Sequence, residues 1–267
     1  MPLYKYMSAR AVDFLASCTL RFSPPSDFND PFDGVPTAAA IVQSPALREL
    51  IGYNLDFPAD QLAADPELAA GVPIAQKMME DIARRGYRDR LIDDRNKNFR
   101  VLCLSKAAPD SNSAALMWGH YAQDPLNGNK PHAGLALEFD ETNPWFASHL
   151  GRDDRHYKAV EYRSRRASLS ADGTDVLFVK SNLWAYEQEV RLVRYVGASA
   201  NDLAGADNSI ATYPPEMLKT IFIGLYARKG IEAEVGAQLA RNAALSHVKV
   251  SRILAIDPDE FCFDVAD

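Results

Sequence analysis

Two glutamates two positions apart are the side chains best suited to chemistry in this sequence. Glu187 and Glu189 lie in the run Trp-Ala-Tyr-Glu-Gln-Glu-Val-Arg. On a β-strand, residues two apart point to the same side, so both carboxylates would share one face with Arg191. Like charges this close raise each other's proton affinity unless a cation such as Arg191 compensates them. Trp184 and Tyr186 precede the carboxylates, which favours a partly buried site over the simpler alternative, a solvated strand edge.

A second cluster follows a short apolar strand. Val101–Leu104 is predicted to be a buried strand that ends at Ser105, and a short helix with Trp118, His120 and Tyr121 comes soon after. The simpler interpretation of this aromatic group is core packing around one satisfied histidine. Alternatively, the rings form a wall on which a flat base or nicotinamide stacks.

A third cluster combines basic and hydroxyl side chains with an acidic, turn-rich loop. Asn29 and Asp30 are typical of an ordered turn, in which their side chains cap backbone amides. In the alternative, functional interpretation, Arg21 and Ser23 lie at the end of a strand and line a cleft that this loop closes. The planar fork of arginine suits a diphosphate, and Lys180 is a further candidate for binding phosphate.

The elements that must position these residues indicate an α+β protein. Short strands and helices are intermixed without a regular βαβ period, which favours a mixed, mainly antiparallel central sheet. A proline-punctuated helical insertion is predicted at about residues 44–98. Residues 176–185 are predicted to form a helix that leads into a strand over residues 187–195. We expect one domain over residues 1–267.

Composition narrows the function classes. The chain has 267 residues, 47% hydrophobic and 24% charged, which is typical of a globular protein. Its net charge of −7 gives no overall attraction to nucleic acid or anionic membranes, although the basic segment Arg152–Arg166 weakly favours a nucleic-acid partner. We find no membrane-spanning stretch, no signal-peptide pattern and only three widely spaced cysteines, so we expect a cytoplasmic protein.

The order of the motifs resembles two families. From Leu3 to about Gly224 the motifs Leu-Tyr-Lys-Tyr, Asn-Asp-Pro-Phe-Asp, Cys-Leu-Ser, Leu-Met-Trp-Gly-His-Tyr-Ala and Trp-Ala-Tyr-Glu-Gln-Glu-Val-Arg occur as in a bacterial family known as domain of unknown function 2971. The series of elements is also similar to ADP-ribosyltransferase-like folds. In that superfamily a strand-borne Arg, His or Tyr, a hydroxyl residue on a neighbouring strand and a Glu hold NAD.

The second resemblance implies a role for particular residues of this chain. Glu189 corresponds to the catalytic Glu of a Glu-x-Glu motif, and Glu187 is its upstream companion. Ser105 corresponds to the strand-end hydroxyl. The first-strand position falls on Tyr4 or Tyr6. Because this strand contains neither Arg nor His, Arg21 is the alternative for that position.

We therefore expect an ADP-ribosyltransferase-like enzyme with NAD as its substrate. It would transfer ADP-ribose to a nucleic-acid or protein acceptor, or hydrolyse NAD, in the role of a toxin or a defence effector. Cleavage between nicotinamide and ribose passes through an oxocarbenium-like state, as glycosidic cleavage does. A fixed carboxylate stabilises the positive charge that develops on the sugar.

Two alternatives belong to other function classes. A metal-dependent nuclease would use the aspartates of residues 27–33 together with Glu187 and Glu189 as ligands. A non-catalytic binding or sensor module would instead contain Glu189 and Arg191 as an internal ion pair.

Overall fold

A computed structural model describes most of the chain. The described residues are 2–35, 37, 59–82, 88–148, 157–166, 174–196 and 209–266.

Strands and helices are intermixed along the chain. Strands β1 to β12 cover Pro2–Met7, Thr19–Arg21, Phe99–Ser105, Leu135–Asp140, Tyr157–Ala159, Glu161–Arg163, Val179–Ser181, Glu189–Tyr195, Ile210–Thr212, Leu218–Ile223, Lys249–Ile256 and Phe263–Val265. Helices α1 to α6 cover Ala59–Ala64, Pro66–Ile82, Arg88–Asn98, Ala114–Tyr121, Trp145–Ser148 and Ile231–Ala240. Short 3-10 helices cover Ala9–Ser17, Pro25–Asp27, Pro125–Asn127, Asp175–Phe178, Asn182–Glu187, Pro215–Met217 and Ala243–Leu245.

The main sheet has eight strands in the order β12-β11-β10-β4-β1-β3-β8-β5. The pairs β1–β3, β1–β4, β4–β10, β5–β8 and β11–β12 are antiparallel, whereas β10 and β11 are parallel. The prediction of an α+β protein with a mixed, mainly antiparallel sheet is thus confirmed. No helix in the described ranges is long and apolar enough to span a bilayer.

The chain divides into two compact units. Unit 1 contains residues 1–23, 100–160 and 183–267 and holds the eight-stranded sheet. Unit 2 contains residues 24–99 and 161–182, with helices α1 to α3 and the parallel pair β6–β7. The predicted helical insertion is helical over residues 59–64, 66–82 and 88–98, while its residues 44–58 and 83–87 lie outside the described part. A single domain over residues 1–267 stays a prediction.

The two faces of the eight-stranded sheet carry different residues. Leu3 and Tyr4 are consecutive in β1 and therefore point to opposite faces. Leu3 belongs to the larger apolar cluster, which includes the 3-10 helix Ala9–Ser17 and α6, and we call its face the apolar face. Tyr4 belongs to a smaller cluster with α4, and we call its face the polar face. Strand pairing and alternation place these residues on the polar face: Tyr4, Cys103, Ser105, Glu138, Glu189 and Arg191.

The start of β4 requires a residue without a side chain. A Cβ atom on Gly134 would lie 2.2 Å from the carbonyl oxygen of Met7 and 2.8 Å from backbone atoms of Ala122. Backbone atoms on neighbouring segments cannot give way as a flexible side chain would. The close approach of these segments therefore depends on glycine at this position.

We expect Gly134→Ala to lower the free energy of unfolding by about 3 kcal/mol, because the added methyl group overpacks the junction. Gly236→Ala is the matched control. A Cβ at Gly236 would meet nothing within 4 Å, and alanine inside α6 should add about 0.5–1 kcal/mol to stability. Urea denaturation of both variants measures the difference. Equal effects of the two substitutions would contradict this account of Gly134.

Candidate functional site

Glu187 does not lie on a strand, contrary to the prediction. The segment predicted as a helix over residues 176–185 forms a 3-10 turn, the short strand β7 and the 3-10 helix Asn182–Glu187. Gln188 then has a φ of 45°, in the left-handed region, and β8 begins at Glu189. Since this residue interrupts the extended backbone, the even spacing of the two glutamates does not place them side by side on one strand.

The side chain and backbone of Glu187 are nevertheless held at the end of β3. Glu187 is 2% exposed, and its Oε1 accepts a hydrogen bond of 2.5 Å from the hydroxyl of Tyr121. The hydroxyl of Ser105 donates to the carbonyl oxygen of Glu187 at 2.5 Å and accepts from the amide of Ala107 at 3.0 Å. Lys106 N–H donates to the carbonyl of Gln188 at 3.0 Å. The strand-end serine thus fixes the backbone that carries the carboxylate.

Four aromatic rings form a group next to Glu187, and we call them the aromatic group: His120, Tyr121, Trp184 and Tyr186. The His120 ring lies 5.9 Å from Trp184 and 6.2 Å from Tyr186, and the latter pair is stacked at 25°. Trp184 and Tyr186 are 6.0 Å apart, and His120 and Tyr121 are 6.2 Å apart. His120 is exposed and the other three are partly buried. The group therefore presents ring surface to solvent beside a buried carboxylate.

Glu189 and Arg191 form a buried, two-pronged ion pair on the polar face. Arg191 donates from Nε to Oε1 of Glu189 at 2.8 Å and from Nη2 to Oε2 at 2.9 Å. The two residues are 5% and 1% exposed. Burial, with the neighbouring carboxylate of Glu189 second, raises the pKa of the Cys103 thiol above its usual value. Glu189 is thus locked within its strand rather than aimed into bulk water.

The two first-strand tyrosines differ in their surroundings. Tyr4 pairs with Ser105 across β1 and β3 and with Glu138 across β1 and β4. Burial, and then the charge of Glu138, raises the pKa of Tyr4 to about 12. The hydroxyl of Tyr6 donates to the carbonyl of Ala107 at 2.9 Å. Tyr4 is therefore the first-strand residue that lies directly beside the strand-end serine.

Trp118 is part of the core of unit 1. It is 1% exposed, its indole N–H donates to the carbonyl of Pro109 at 2.9 Å, and the ring of Tyr6 meets it edge-on at 5.3 Å. This placement matches the core-packing interpretation. The exposed ring surface near Glu187 comes instead from the aromatic group. The sequence analysis did not include Tyr186, a member of this group, among the binding residues.

Strand pairing positions Arg21 and Ser23, and the cleft expected around them stays a prediction. The neighbouring Leu20 packs in the cluster of the apolar face, and Arg21 points away from it and is exposed. Ser23 pairs through its backbone with Val101, at 2.9 and 2.8 Å. Val101 is four residues from Ser105 along β3, about 13 Å at roughly 3.3 Å per residue. Pairing with β9 fixes the backbone of Arg21, whose partner is Ile210.

The remaining predicted residues belong to unit 2. Asn29 is exposed, whereas Asp30 is 5% exposed and its Oδ1 accepts from the amide of Phe32 at 2.9 Å. This contact is the turn-capping interaction that the simpler interpretation predicted. Lys180 is buried, and its Nζ lies 3.7 Å from Oδ2 of Asp33.

Sequence reasoning missed Arg95, a buried residue of α3. Its Nη1 donates to the carbonyl of Gly34, and burial lowers the pKa of its guanidinium to about 10. The residue lies in the helix Arg-Asp-Arg-Leu-Ile-Asp-Asp-Arg-Asn-Lys-Asn, whose many charges give no pattern that would single it out.

Metal binding has no ready ligand set in the residues that the structure describes. No three His, Cys, Asp or Glu side chains of that part lie close enough together to hold an ion. Cys18, Cys103 and Cys262 are all free thiols. Of the basic segment Arg152–Arg166, residues 152–156 lie outside the described part, and Arg165 and Arg166 are exposed.

Comparison with known proteins leaves the site to be interpreted from its own geometry. No family model, curated protein or solved structure matches this chain.

We expect Glu189→Gln to lower the free energy of unfolding by about 3–5 kcal/mol, because it leaves the guanidinium of Arg191 buried without its counter-charge. The double variant Glu189→Leu with Arg191→Met should recover most of that loss. Urea denaturation followed by circular dichroism measures both.

The matched control is Glu161→Gln. Glu161 and Arg163 also stand two apart on a strand and form a two-pronged pair, but both are exposed. Exposed pairs contribute little, so this variant should stay close to the parent protein. Similar losses in the buried and exposed variants would refute the importance assigned to burial.

Alkaline pH should destabilise the protein through its buried tyrosines. Burial raises the pKa of Tyr4 from near 10 to about 12, and it also raises the pKa of Tyr6, Tyr121, Tyr157 and Tyr213. Above pH 10 the unfolded chain loses phenol protons that the folded chain keeps, so stability falls as pH rises.

Tyr4→Phe should make this fall shallower between about pH 10 and 12, because one such phenol is removed. Urea denaturation across that range measures the slope. A phenylalanine variant with the parent slope would show that Tyr4 ionises equally in both states.

Proposed function

We propose that unit 1 is an ADP-ribosyltransferase-like domain that cleaves NAD between nicotinamide and ribose, and that the chain belongs to the bacterial family known as domain of unknown function 2971. One observation carries the proposal: the neighbouring strands β1, β3 and β8 bring Tyr4, Ser105 and the Glu187–Glu189 segment together. Tyr4 pairs with Ser105, and Ser105 donates to the backbone of Glu187. The first-strand tyrosine and the strand-end serine agree in residue type and strand position with what the resemblance implies, whereas Glu187 reaches the same place from the 3-10 helix before β8.

The aromatic group suits the cationic ring of NAD. The nicotinamide ring carries a positive charge while it is attached to ribose, and aromatic faces attract cations that lie over them. Trp184, Tyr186 and His120 offer such faces at mutual distances of 5.9–6.2 Å. The buried carboxylate of Glu187 lies beside this group, since its Oε1 accepts a hydrogen bond from the hydroxyl of Tyr121. Rings and carboxylate together favour a flat cation over a neutral or anionic ligand.

Glu187 is the carboxylate best placed to act on the bound ribose. When the bond between the anomeric carbon and the nicotinamide nitrogen breaks, its electron pair leaves with nicotinamide and the positive charge moves to the sugar. A preorganised carboxylate stabilises that charge without reorganisation. Water or an acceptor hydroxyl then bonds to the anomeric carbon, and Glu187 accepts the proton it releases. The hydroxyl of Tyr121 holds the carboxylate in position.

Glu189 has a supporting role in this proposal. Its two carboxylate oxygens are engaged by Arg191, so the pair fixes the first residues of β8 and keeps net charge near Glu187 low. The roles that the resemblance gave to the two glutamates are therefore exchanged. The acceptor is a protein or a nucleic acid, and plain hydrolysis of NAD is the reaction when water takes its place.

A non-catalytic binding module is the second candidate. The observation that favours it is the buried pair of Glu189 and Arg191, which is the internal ion pair that this alternative requires. Such a module would bind a flat cation at the aromatic group without turning it over.

Nicotinamide release from NAD tests the proposal. We expect Glu187→Gln to reduce the rate by about 100-fold or more, in the range seen when one preorganised electrostatic contact is removed. The variant should stay folded, because the glutamine amide oxygen still accepts from Tyr121. Trp184→Ala should mainly weaken NAD binding and raise KM.

Glu232→Gln is the matched control, since Glu232 is exposed on α6, and it should leave the rate unchanged. Turnover in Glu187→Gln equal to that of the parent would exclude Glu187 as the acting carboxylate. Absence of nicotinamide release from the parent protein, together with binding of NAD that depends on Trp184, would favour the binding module instead.

A further inference from the structure

Unit 2 contains a cavity of about 240 Å³ between the turn after β2 and helix α3. This volume is below the roughly 300–1,000 Å³ of sites for drug-sized ligands, so it suits a smaller molecule. Phe28, Pro31 and Ile92 are among the apolar residues that line it, and Asp30 and Arg95 are among the charged ones. The cavity therefore combines apolar walls with both signs of charge.

Arg95 is a buried cation without a carboxylate partner among the described residues. It is 6% exposed, and its Nη1 donates to the carbonyl of Gly34. Burial lowers the pKa of its guanidinium to about 10. A guanidinium has five N–H donors, so one contact to a carbonyl leaves most of its bonding capacity for the cavity.

Asp30 lines the same cavity with a buried carboxylate oxygen that lacks a hydrogen-bond donor among the described residues. Its Oδ1 caps the amide of Phe32, while its Oδ2 is buried and has no hydrogen-bond partner in the described part of the chain. Buried polar atoms in folded proteins are nearly always paired, and an unpaired carboxylate oxygen costs more than a neutral one. A carboxylate oxygen only accepts hydrogen bonds, so its missing partner is a donor.

Asp30 and Arg95 line one cavity but do not form an ion pair with each other, because no nitrogen of Arg95 lies within 4.0 Å of a carboxylate oxygen of Asp30. Burying two ions without counter-charges is unfavourable, because each loses its hydration. A neutral ligand would supply hydrogen bonds but not the opposite charges that two buried ions require. A molecule with one cationic and one anionic end supplies both.

We propose that this cavity binds a free α-amino acid with an apolar side chain. The carboxylate of the ligand pairs with the guanidinium of Arg95, and its ammonium group donates to Oδ2 of Asp30. The apolar side chain packs against Phe28, Pro31 and Ile92. The proposal concerns unit 2 alone and does not rest on the cleavage of NAD.

Isothermal titration of the full chain with leucine and phenylalanine tests the proposal. Two matched analogues separate the ends of the ligand: isocaproate lacks the ammonium group of leucine, and isoamylamine lacks the carboxylate. We expect leucine or phenylalanine to bind at least tenfold more tightly than either type of analogue. Inorganic phosphate, which offers an anion alone, should not displace the amino acid.

Variants identify which end meets which residue. Asp30→Asn should lose the discrimination between leucine and isocaproate, whereas Arg95→Met should lose that between leucine and isoamylamine. Lys97→Met, at an exposed residue of the same helix, is the control and should bind as the parent does.

Binding measurements on the parent protein test the proposal even if a variant fails to fold. No measurable binding of any apolar amino acid at millimolar concentration, or equal affinity for leucine and both analogues, would overturn the proposal. A crystal structure of the protein grown with leucine that shows water alone between Asp30 and Arg95 would do the same. Nicotinamide release is measured separately, so failure of either proposal leaves the other standing.

Discussion

The buried pair of Glu189 and Arg191 is the interaction on which the polar face depends. A strand that presents a carboxylate and a guanidinium to the interior is stable only when each charge meets its partner, because the penalty for one buried ion exceeds the gain from most contacts. The two prongs, at 2.8 and 2.9 Å, also fix the rotamers of both side chains. Cys103 on the same face lies close to this pair, since the carboxylate of Glu189 contributes to the raised pKa of its thiol.

Strand alternation then explains how one sheet serves two purposes. Val190 and Leu192 extend the apolar cluster on the face opposite Glu189 and Arg191. The larger core can therefore stabilise unit 1 while the polar face holds charged and hydroxyl side chains. The same alternation in β1 separates Leu3 from Tyr4. A single strand thus supplies apolar packing on one side and polar side chains on the other.

Much of this architecture could be predicted from the sequence, because local signals were strong. The apolar residues of β1 and β3 and the aromatic helix α4 follow clear patterns, and the strand end at Ser105 was predicted and is observed. The position of Glu187 could not be predicted in the same way. One left-handed residue, Gln188, decides between a continuous strand and a 3-10 helix followed by a strand, and no composition signal marks it.

Contacts between residues far apart in the sequence also could not be predicted. Arg21 stands in a motif beside the Asn-Asp-Pro loop, yet pairing between β2 and β9 fixes where it lies, and β9 is almost two hundred residues later. Arg95 was missed because its helix contains many charged residues, and their pattern does not show which of them is buried. Pairing and burial depend on the whole fold, whereas spacing in the sequence reports only on neighbours.

The backbone conformation of Gln188 has a consequence for how this region can change. A left-handed residue other than glycine stores of order 1 kcal/mol of strain, and here it uncouples the direction of Glu187 from that of Glu189. Substitutions that reshape the surroundings of the first carboxylate therefore need not disturb the second. The first carboxylate follows the 3-10 helix that carries it, whereas the second stays with its strand and its guanidinium partner.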